Sequence, residues 1–285
     1  MNLNRFNEMT VVIPVYNKDY AIQKTLNCLN TQLVLPGKVI VINDGSTDDS
    51  FNKINDFFQK ENINFNFEII NQANKGVSAA RNKGISMCDT RYLSLLDADD
   101  ILDKEYFKIR KEQISDSSYH IYSGAHYLNS RKISVPGLFS ARQIVNPYIA
   151  SLFASIVNSS KVIFDLKKID KMEIKFPEDA QKGEDLYLWL KLFRNSKIFY
   201  DPKPLVSIHV LKDQSRSNRK NKIPYPIERL EHFDNDGIYC KILLHAILIK
   251  HIRNNLSKSS INAMPPNAKS FAPYLSFLTT LLPDE

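Results

Sequence analysis

Apolar and polar positions alternate along the first hundred residues in a way that predicts a parallel sheet covered by helices. Short apolar runs rich in β-branched residues indicate buried strands, and the segments between them have helical spacing. The predicted strands are Thr10–Val15, Lys38–Asn43, Phe67–Ile70 and Arg91–Leu96, and the predicted helices cover about 19–32, 48–60 and 77–87. This order predicts an α/β fold with a mostly parallel central sheet flanked by helices.

The second half of the chain has a less regular pattern. Residues 119–165 contain short β-like pieces, which we expect to cross over the sheet. A helix is predicted from Gly183 onward, because apolar residues recur there at helical spacing. Segments Ile198–Tyr200 and Leu205–Val210 are predicted strands, and Gln214–Ile223 is predicted to be a polar, basic loop.

The positive charge of the chain is concentrated in its C-terminal third. The net charge is +7, and residues 203–258 hold eleven lysine and arginine residues against five acidic ones. Such a patch attracts phospholipid head groups, nucleic acid and phosphorylated substrates alike. Segment Ile238–Ile252 is apolar but interrupted by lysine and histidine, so it predicts an amphipathic helix that can touch an anionic membrane without crossing it.

Composition narrows the class of protein and its compartment. The chain is 43% hydrophobic and 24% charged, which is typical of a folded protein and excludes a wholly disordered one. Three cysteines without a CxxC pair argue against a disulfide framework or a cysteine zinc site. Residues Met1–Met9 lack the apolar core of a signal peptide. We therefore expect a cytoplasmic protein.

The predicted strand ends carry the candidate chemistry, because ligands of open α/β sheets bind beyond the carboxyl ends of the strands. Strand one is followed by Tyr16 and Asn17, strand two by Asp44–Asp48 and strand four by Asp97–Asp100. The sequences GxGxxG and GxxxxGK[ST] follow none of these strands. The dinucleotide-binding and P-loop classes are thereby disfavoured.

The residues themselves leave alternatives open at each position. Three carboxylates within Asp97–Asp100 suit Mg²⁺ or Mn²⁺ shared with nucleotide phosphates, but a solvated turn capping a helix has the same composition. Asp44 can accept a hydrogen bond from a nucleobase or ribose, or simply belong to a turn. Arg81 can reach a nucleotide or form a salt bridge.

Taken together, five motifs in this order resemble the family 2 glycosyltransferases, which have the GT-A fold. The resemblance covers about residues 9–210, and an ordered series is far more specific than any one motif. The motifs are Pro14-Val15-Tyr16-Asn17, Val41 to Asp48, Asn74-Lys75-Gly76 with Ala80-Arg81-Asn82, Leu96 to Asp100, and Gly183-Glu184-Asp185.

The resemblance implies roles for individual residues. Asp99 would be the ligand of a Mn²⁺ or Mg²⁺ ion, with His209 as a looser match, and Asp185 would be the catalytic base. Contacts with the acceptor or the diphosphate would come from Glu184, Arg216 and Arg219. The donor nucleotide would contact Pro14, Val15, Tyr16, Asn17, Asp44, Arg81, Asp97, Ala98 and Asp99.

The resemblance also implies the activity. We expect an inverting, metal-dependent transferase that moves a hexosyl or N-acetylhexosaminyl group from a nucleotide sugar, typically a UDP-sugar, to a glycan or lipid-linked acceptor. Bacterial surface polysaccharides, such as O-antigen in lipopolysaccharide or capsule, are products of this class. The predicted domains are a catalytic one over 1–215, with a nucleotide-binding half 9–100 and an acceptor-side half 101–215, and a helical, basic extension over 216–285.

Three other classes remain as alternatives. A sugar nucleotidyltransferase would carry a basic, glycine-rich first loop, whereas this chain has Val15-Tyr16-Asn17-Lys18-Asp19 there. An inactive scaffold subunit would have no need for the three carboxylates Asp97, Asp99 and Asp185. A nucleic-acid-binding protein has only the charge in its favour, so we expect no nucleic-acid partner. The sequence does not predict an oligomeric state.

Overall fold

The structure is a computed structural model that describes residues 4–114, 118–137, 142–209 and 222–255. The helices are α1 Ile22–Asn30, α2 Ser50–Lys60, α3 Val77–Ser86, α4 Tyr106–Ile114, α5 Pro147–Phe153, α6 Glu184–Phe193, α7 Tyr225–Glu228 and α8 Ile238–Asn255. The strands are β1 Arg5–Val15, β2 Leu35–Asp44, β3 Asn66–Gln72, β4 Tyr92–Leu95, β5 Ile101–Leu102, β6 Ile121–Gly124, β7 His126–Leu128, β8 Arg131–Ile133, β9 Arg142–Ile144, β10 Ile163–Asp165, β11 Ile198–Asp201 and β12 Val206–Ile208.

An eight-stranded sheet forms the centre of the fold, in the order β3-β2-β1-β4-β10-β6-β11-β9. Strands β3, β2, β1 and β4 are parallel to one another, as predicted. Strand β10 pairs antiparallel with both β4 and β6, and β9 pairs antiparallel with β11. The expectation that residues 119–165 only cross over the sheet is wrong, because β6 and β10 lie inside it. These strands are too short to show a periodic pattern.

A second sheet of four short strands has the order β5-β12-β7-β8. Strand β12 pairs antiparallel with β5 and parallel with β7. Since β5 begins directly after Asp100, this pairing brings the end of β12 to the acidic turn that follows β4. The second sheet therefore connects the second half of the chain to the predicted metal-binding segment.

The apolar core lies between the central sheet and its helices. Ile22, Leu26 and Leu29 recur on one face of α1 and are fully buried. Val39 and Val41 of β2 point to the same cluster. Both faces of β2 are covered, which explains why its sequence is a continuous run of β-branched residues and not an alternating one.

The chain divides into two compact units, one formed by 1–178 and 195–210 and the other by 179–194 and 211–285. The first unit contains both sheets. In the second unit, the Tyr187 ring meets that of Tyr225 at 5.0 Å, and its hydroxyl lies 2.6 Å from Nδ1 of His232. These contacts join α6 to the segment after residue 215.

Two further features bear on the expectations from the sequence. All three cysteines are buried thiols. Among the described residues, no helix combines the length and the apolar character needed to cross a bilayer.

Candidate active site

The loop after β1 is tied to the loop after β2. Asn17 has a positive φ of 51°, a conformation that asparagine tolerates better than most residues. Its backbone N–H donates to Oγ of Ser46 at 3.1 Å, and its side-chain oxygen accepts from the N–H of Thr47 at 2.8 Å. Pro14 and Val15 are buried in β1, whereas the ring of Tyr16 is exposed. Tyr16 is therefore the side chain of this motif available to a ligand from solvent.

Asp44 ends β2 and is held by the loop that follows β3. One carboxylate oxygen accepts from the side-chain amide of Gln72 at 2.8 Å and from the N–H of Lys75 at 2.9 Å. The other accepts from the N–H of Gly76 at 2.8 Å. Next to it, Gly45 has a φ of 69°, and a Cβ there would lie 2.8 Å from a backbone nitrogen. Asp44, the predicted base-binding residue, thus fixes the conformation of the loop after β3.

Helix α3 presents Arg81 to the end of β4. The helix approaches the sheet closely because Gly84 faces Val12 of β1, where a Cβ would collide. The buried guanidinium of Arg81 donates to Oδ1 of Asp97 at 2.7 Å and stacks on Phe176, 5.0 Å from the ring centroid. The arginine predicted to contact nucleotide therefore orients the first carboxylate of the acidic turn.

Asp99 is paired with a lysine that the sequence analysis did not single out. Nζ of Lys18 lies 2.7 Å from Oδ2 of Asp99 and donates to the hydroxyl of Tyr20 at 2.9 Å. Burial lowers the pKa of Lys18, but the hydrogen bonds to Asp99 and Tyr20 outweigh it and raise the pKa to about 12. The pair is partly exposed, with side-chain exposures of 22% and 16%. An ammonium group therefore holds the carboxylate predicted to bind metal.

Asp100 differs from its neighbours because it is buried and used by the backbone. Its carboxylate accepts from Oγ of Ser160 and, at 3.0 Å, from the N–H of His209. Ser160 also accepts from the N–H of Asp97 at 3.0 Å. Burial, followed by the charge of Asp97, raises the pKa of Asp100 to about 7. The third carboxylate thus anchors the turn to the end of β12.

The remaining two residues of this region have different environments. The side chain of Ala98 is buried, and its carbonyl accepts from the hydroxyl of Thr25 at 2.9 Å. His209 is exposed and follows β12 directly. Its backbone is tied to Asp100, so this predicted ligand stands beside the acidic turn.

The acidic turn fits a divalent ion that is shared with a nucleotide. Within the described residues, no group of three or more His, Cys, Asp or Glu side chains could hold a metal by itself. Mg²⁺ at nucleotide sites, however, takes only one or two carboxylates and completes its shell with phosphate oxygens and water. Asp99, with Asp97 two residues before it, would offer one or two carboxylates of this kind, and in this structure Asp99 is paired with the ammonium of Lys18.

The predicted catalytic base belongs to the second unit. Gly183 has a left-handed φ of 78° and precedes α6, so Glu184 and Asp185 occupy its first turn. Both are half-buried, and Oδ1 of Asp185 accepts from the N–H of Leu186 at 2.7 Å. The positive end of the helix dipole favours a charged carboxylate there. The other two predicted contacts, Arg216 and Arg219, lie outside the described residues.

Solved structures of similar fold support the architecture. TarS of S. aureus, crystallised in complex with UDP-GlcNAc, matches with a TM-score of 0.66 and 18% identity over 92% of this chain and 77% of that one. A mannosyltransferase of Pyrobaculum calidifontis, in complex with GDP-Man and Mn²⁺, matches with a TM-score of 0.56 and 15% identity over 95% of this chain and 83% of that one. The predicted GT-A fold is confirmed.

Sequence similarity gives the family. Glycosyltransferase GlyA of Streptococcus pneumoniae is 26% identical over 222 residues, which are 72% of this chain and 31% of GlyA. This chain therefore spans about a third of the length of that curated relative. The model of the family described as "Glycosyl transferase family 2" matches residues 10–156, just over half of the chain. The chain belongs to this family.

Proposed function

We propose that this chain is an inverting, metal-dependent glycosyltransferase that uses a nucleotide sugar to extend a cell-surface polysaccharide on the cytoplasmic side of the membrane. The observation that carries the proposal is the set of hydrogen-bonded loops at the ends of β1, β2 and β4. These loops hold an exposed tyrosine, Tyr16, together with the carboxylates of Asp44, Asp97 and Asp99. Aromatic and carboxylate groups at this edge suit a nucleoside diphosphate that carries a metal ion.

The donor would be a UDP-sugar that transfers a hexosyl or N-acetylhexosaminyl group. TarS was crystallised with UDP-GlcNAc, which supports this choice, whereas the mannosyltransferase was crystallised with GDP-Man and Mn²⁺. Since both relate to this chain by fold alone, a test of the donor has to include both bases. The acceptor would be a hydroxyl of a glycan or of a lipid-linked oligosaccharide.

The chemistry can be divided among this chain's own residues. As the acceptor oxygen forms its bond to the anomeric carbon, the bond from that carbon to the diphosphate oxygen breaks, and Asp185 takes the acceptor proton. The diphosphate leaves with its negative charge, and a divalent ion held at Asp99 would stabilise that charge. A single displacement inverts the anomeric carbon. Arg81 keeps Asp97 oriented, and Asp44 keeps the base-side loop in shape.

The test is a panel of UDP- and GDP-sugars incubated with the purified chain and Mn²⁺, with donor hydrolysis and thermal shift as readouts. We expect one donor to stabilise the protein and to be hydrolysed slowly. Asp99→Ala should weaken donor binding at least tenfold, because the ion loses its protein ligand. Asp185→Ala should leave binding unchanged and reduce turnover by roughly 10²–10⁴.

Asp56→Asn serves as the matched control, since this exposed carboxylate on α2 pairs with Lys60 one turn away. It should behave like the wild type in every assay. The configuration of the sugar in the product, read by NMR, tests inversion. If no nucleotide sugar binds with or without Mn²⁺, the enzyme proposal is overturned in favour of an inactive scaffold subunit.

A further inference from the structure

Helix α8 is apolar on two opposite faces. Cys240, Leu243, Leu244 and Leu248 are buried on one of them. On the other, Ile238, Ile242 and Ile249 have exposures of 64%, 45% and 37%. With 3.6 residues per turn, these three isoleucines fall within about 40° of one another around the axis. A surface helix ordinarily turns polar residues to water, so this exposed stripe is unusual.

Two lysines of α8 flank the isoleucine stripe. Lys241 and Lys250 are both exposed and lie roughly 80° and 100° from the stripe, one on each side. The sequence of α8 contains no aspartate or glutamate. The nearest preceding carboxylates are Asp234 and Asp236, and Asp236 is already paired with Arg194 at 2.7 Å. The exposed face is therefore apolar in the middle and positive along both edges.

We propose that this face of α8 lies on an anionic phospholipid surface. An apolar stripe bordered by lysines is what a helix needs to rest in the plane of the interface, because the isoleucines enter the acyl boundary while the lysines reach the phosphates. The positive charge along the edges of this face favours an anionic lipid surface over a second copy of this chain as its partner. Two copies packed through this face would bring lysine edges together with no carboxylate from either α8.

The proposal goes beyond the proposed transferase activity, since it concerns a surface and needs neither donor nor catalysis. It also gives the exposed apolar stripe a partner, since the other face of the helix already packs in the second unit. Tyr239, with 47% exposure, lies at the edge of the stripe, and tyrosine is enriched at membrane interfaces.

The test is co-sedimentation of the full chain with phosphatidylcholine vesicles, with and without phosphatidylglycerol, in the absence of nucleotide sugar. We expect binding to the anionic vesicles that weakens as salt is added. Ile242→Gln combined with Ile249→Gln should lower the affinity about tenfold. Lys241→Gln and Lys250→Gln should each lower it roughly fivefold on anionic vesicles and leave neutral vesicles unaffected.

The control is Val145→Gln, which removes an apolar side chain of 91% exposure from a loop of the first unit and should leave binding unchanged. Circular dichroism checks that each variant is folded. The proposal is overturned if the wild type does not bind anionic vesicles, or if the α8 variants bind as well as Val145→Gln does. A dimer that dissociates in Ile242→Gln/Ile249→Gln, without vesicle binding, would assign the stripe to a second copy instead. An inactive chain that still binds vesicles would contradict only the transferase proposal.

Discussion

Asp44 and Asp99 stand at the same edge of the central sheet, yet different kinds of group hold them. Asp44 accepts hydrogen bonds from the backbone N–H groups of Lys75 and Gly76 and from the side-chain amide of Gln72. Asp99 is held by the flexible side chain of Lys18. Backbone donors stay where the fold puts them, whereas a lysine can turn away. Asp44 therefore has a structural role in the site, whereas Asp99 can exchange its partner.

The difference extends to the rest of the acidic turn. Asp97 is paired with buried Arg81, and Asp100 is buried and bound to the hydroxyl of Ser160. Only the middle carboxylate, Asp99, has a partner that is itself partly exposed and flexible. Three neighbouring acids thus have three separate tasks, and the one with an exchangeable partner is the predicted metal ligand.

The largest expected effect comes from removing the carboxylate that builds the site. Asp44→Ala removes a buried carboxylate that accepts hydrogen bonds from Gln72, Lys75 and Gly76, so we expect it to lower the free energy of unfolding by about 3 kcal/mol. Asp99→Ala breaks a partly exposed pair and should cost less than about 1 kcal/mol. Urea unfolding followed by far-UV circular dichroism measures both.

The choice of signal matters in that measurement. The only tryptophan, Trp189, belongs to the second unit, so its fluorescence would report on the wrong part of the chain. Equal losses of stability for the two variants would contradict the comparison, because they would mean that Asp99 is as deeply integrated as Asp44.

The sequence predicted the elements and motif residues of the site but not the partners of those residues. Strands β1 to β4 and helices α1 to α3 match their predicted positions within a few residues, because long apolar runs and helical spacing are local signals. The motif residues at the strand ends also followed from the order of the elements. The partners of those residues did not, since Lys18 and Asp99 are 81 positions apart and no periodic pattern links them.

The strands within residues 119–165 were the other failure. Strands β6 and β10, of four and three residues, gain their place in the sheet from tertiary pairing and not from their own sequence. Ser160, which connects Asp97 to Asp100, precedes β10 and was missed for the same reason. The sequence around a serine in an irregular segment does not indicate that this serine will bond both a backbone N–H and a carboxylate.

A smaller effect is expected at the buried end of the acidic turn. The pKa of Asp100 is raised from 3.8 to about 7, so between these pH values the folded chain keeps a proton that the unfolded chain has lost. Stability should therefore fall as pH rises through this range and level off above about 7. Asp100→Asn retains an acceptor for His209 and gains a donor for Ser160, and should add about 2 kcal/mol at alkaline pH.

Urea unfolding in EDTA at a series of pH values measures this slope. Asp89→Asn, at an exposed position between α3 and β4, is the control and should leave the slope unchanged. If Asp100→Asn is less stable than the wild type at alkaline pH, the ionised carboxylate is needed by its two donors, and burial does not dominate its environment.

The smallest effect on stability, and the sharpest view of the exchangeable partner, comes from Lys18→Met. The substitution keeps the alkyl chain and removes the ammonium, so the free energy of unfolding should change by less than about 1 kcal/mol. Mn²⁺ no longer has to displace a positive charge from Asp99, and we expect its dissociation constant in the absence of donor to fall about fivefold. Free Mn²⁺ counted by electron paramagnetic resonance gives this constant directly.

The control is Lys24→Met, which removes an exposed lysine of α1 and should leave the dissociation constant of Mn²⁺ unchanged. Asp99→Ala should abolish Mn²⁺ binding in either background. Weaker Mn²⁺ binding in Lys18→Met would instead mean that the lysine positions Asp99 for the ion, and both carboxylates of the comparison would then be fixed by their partners.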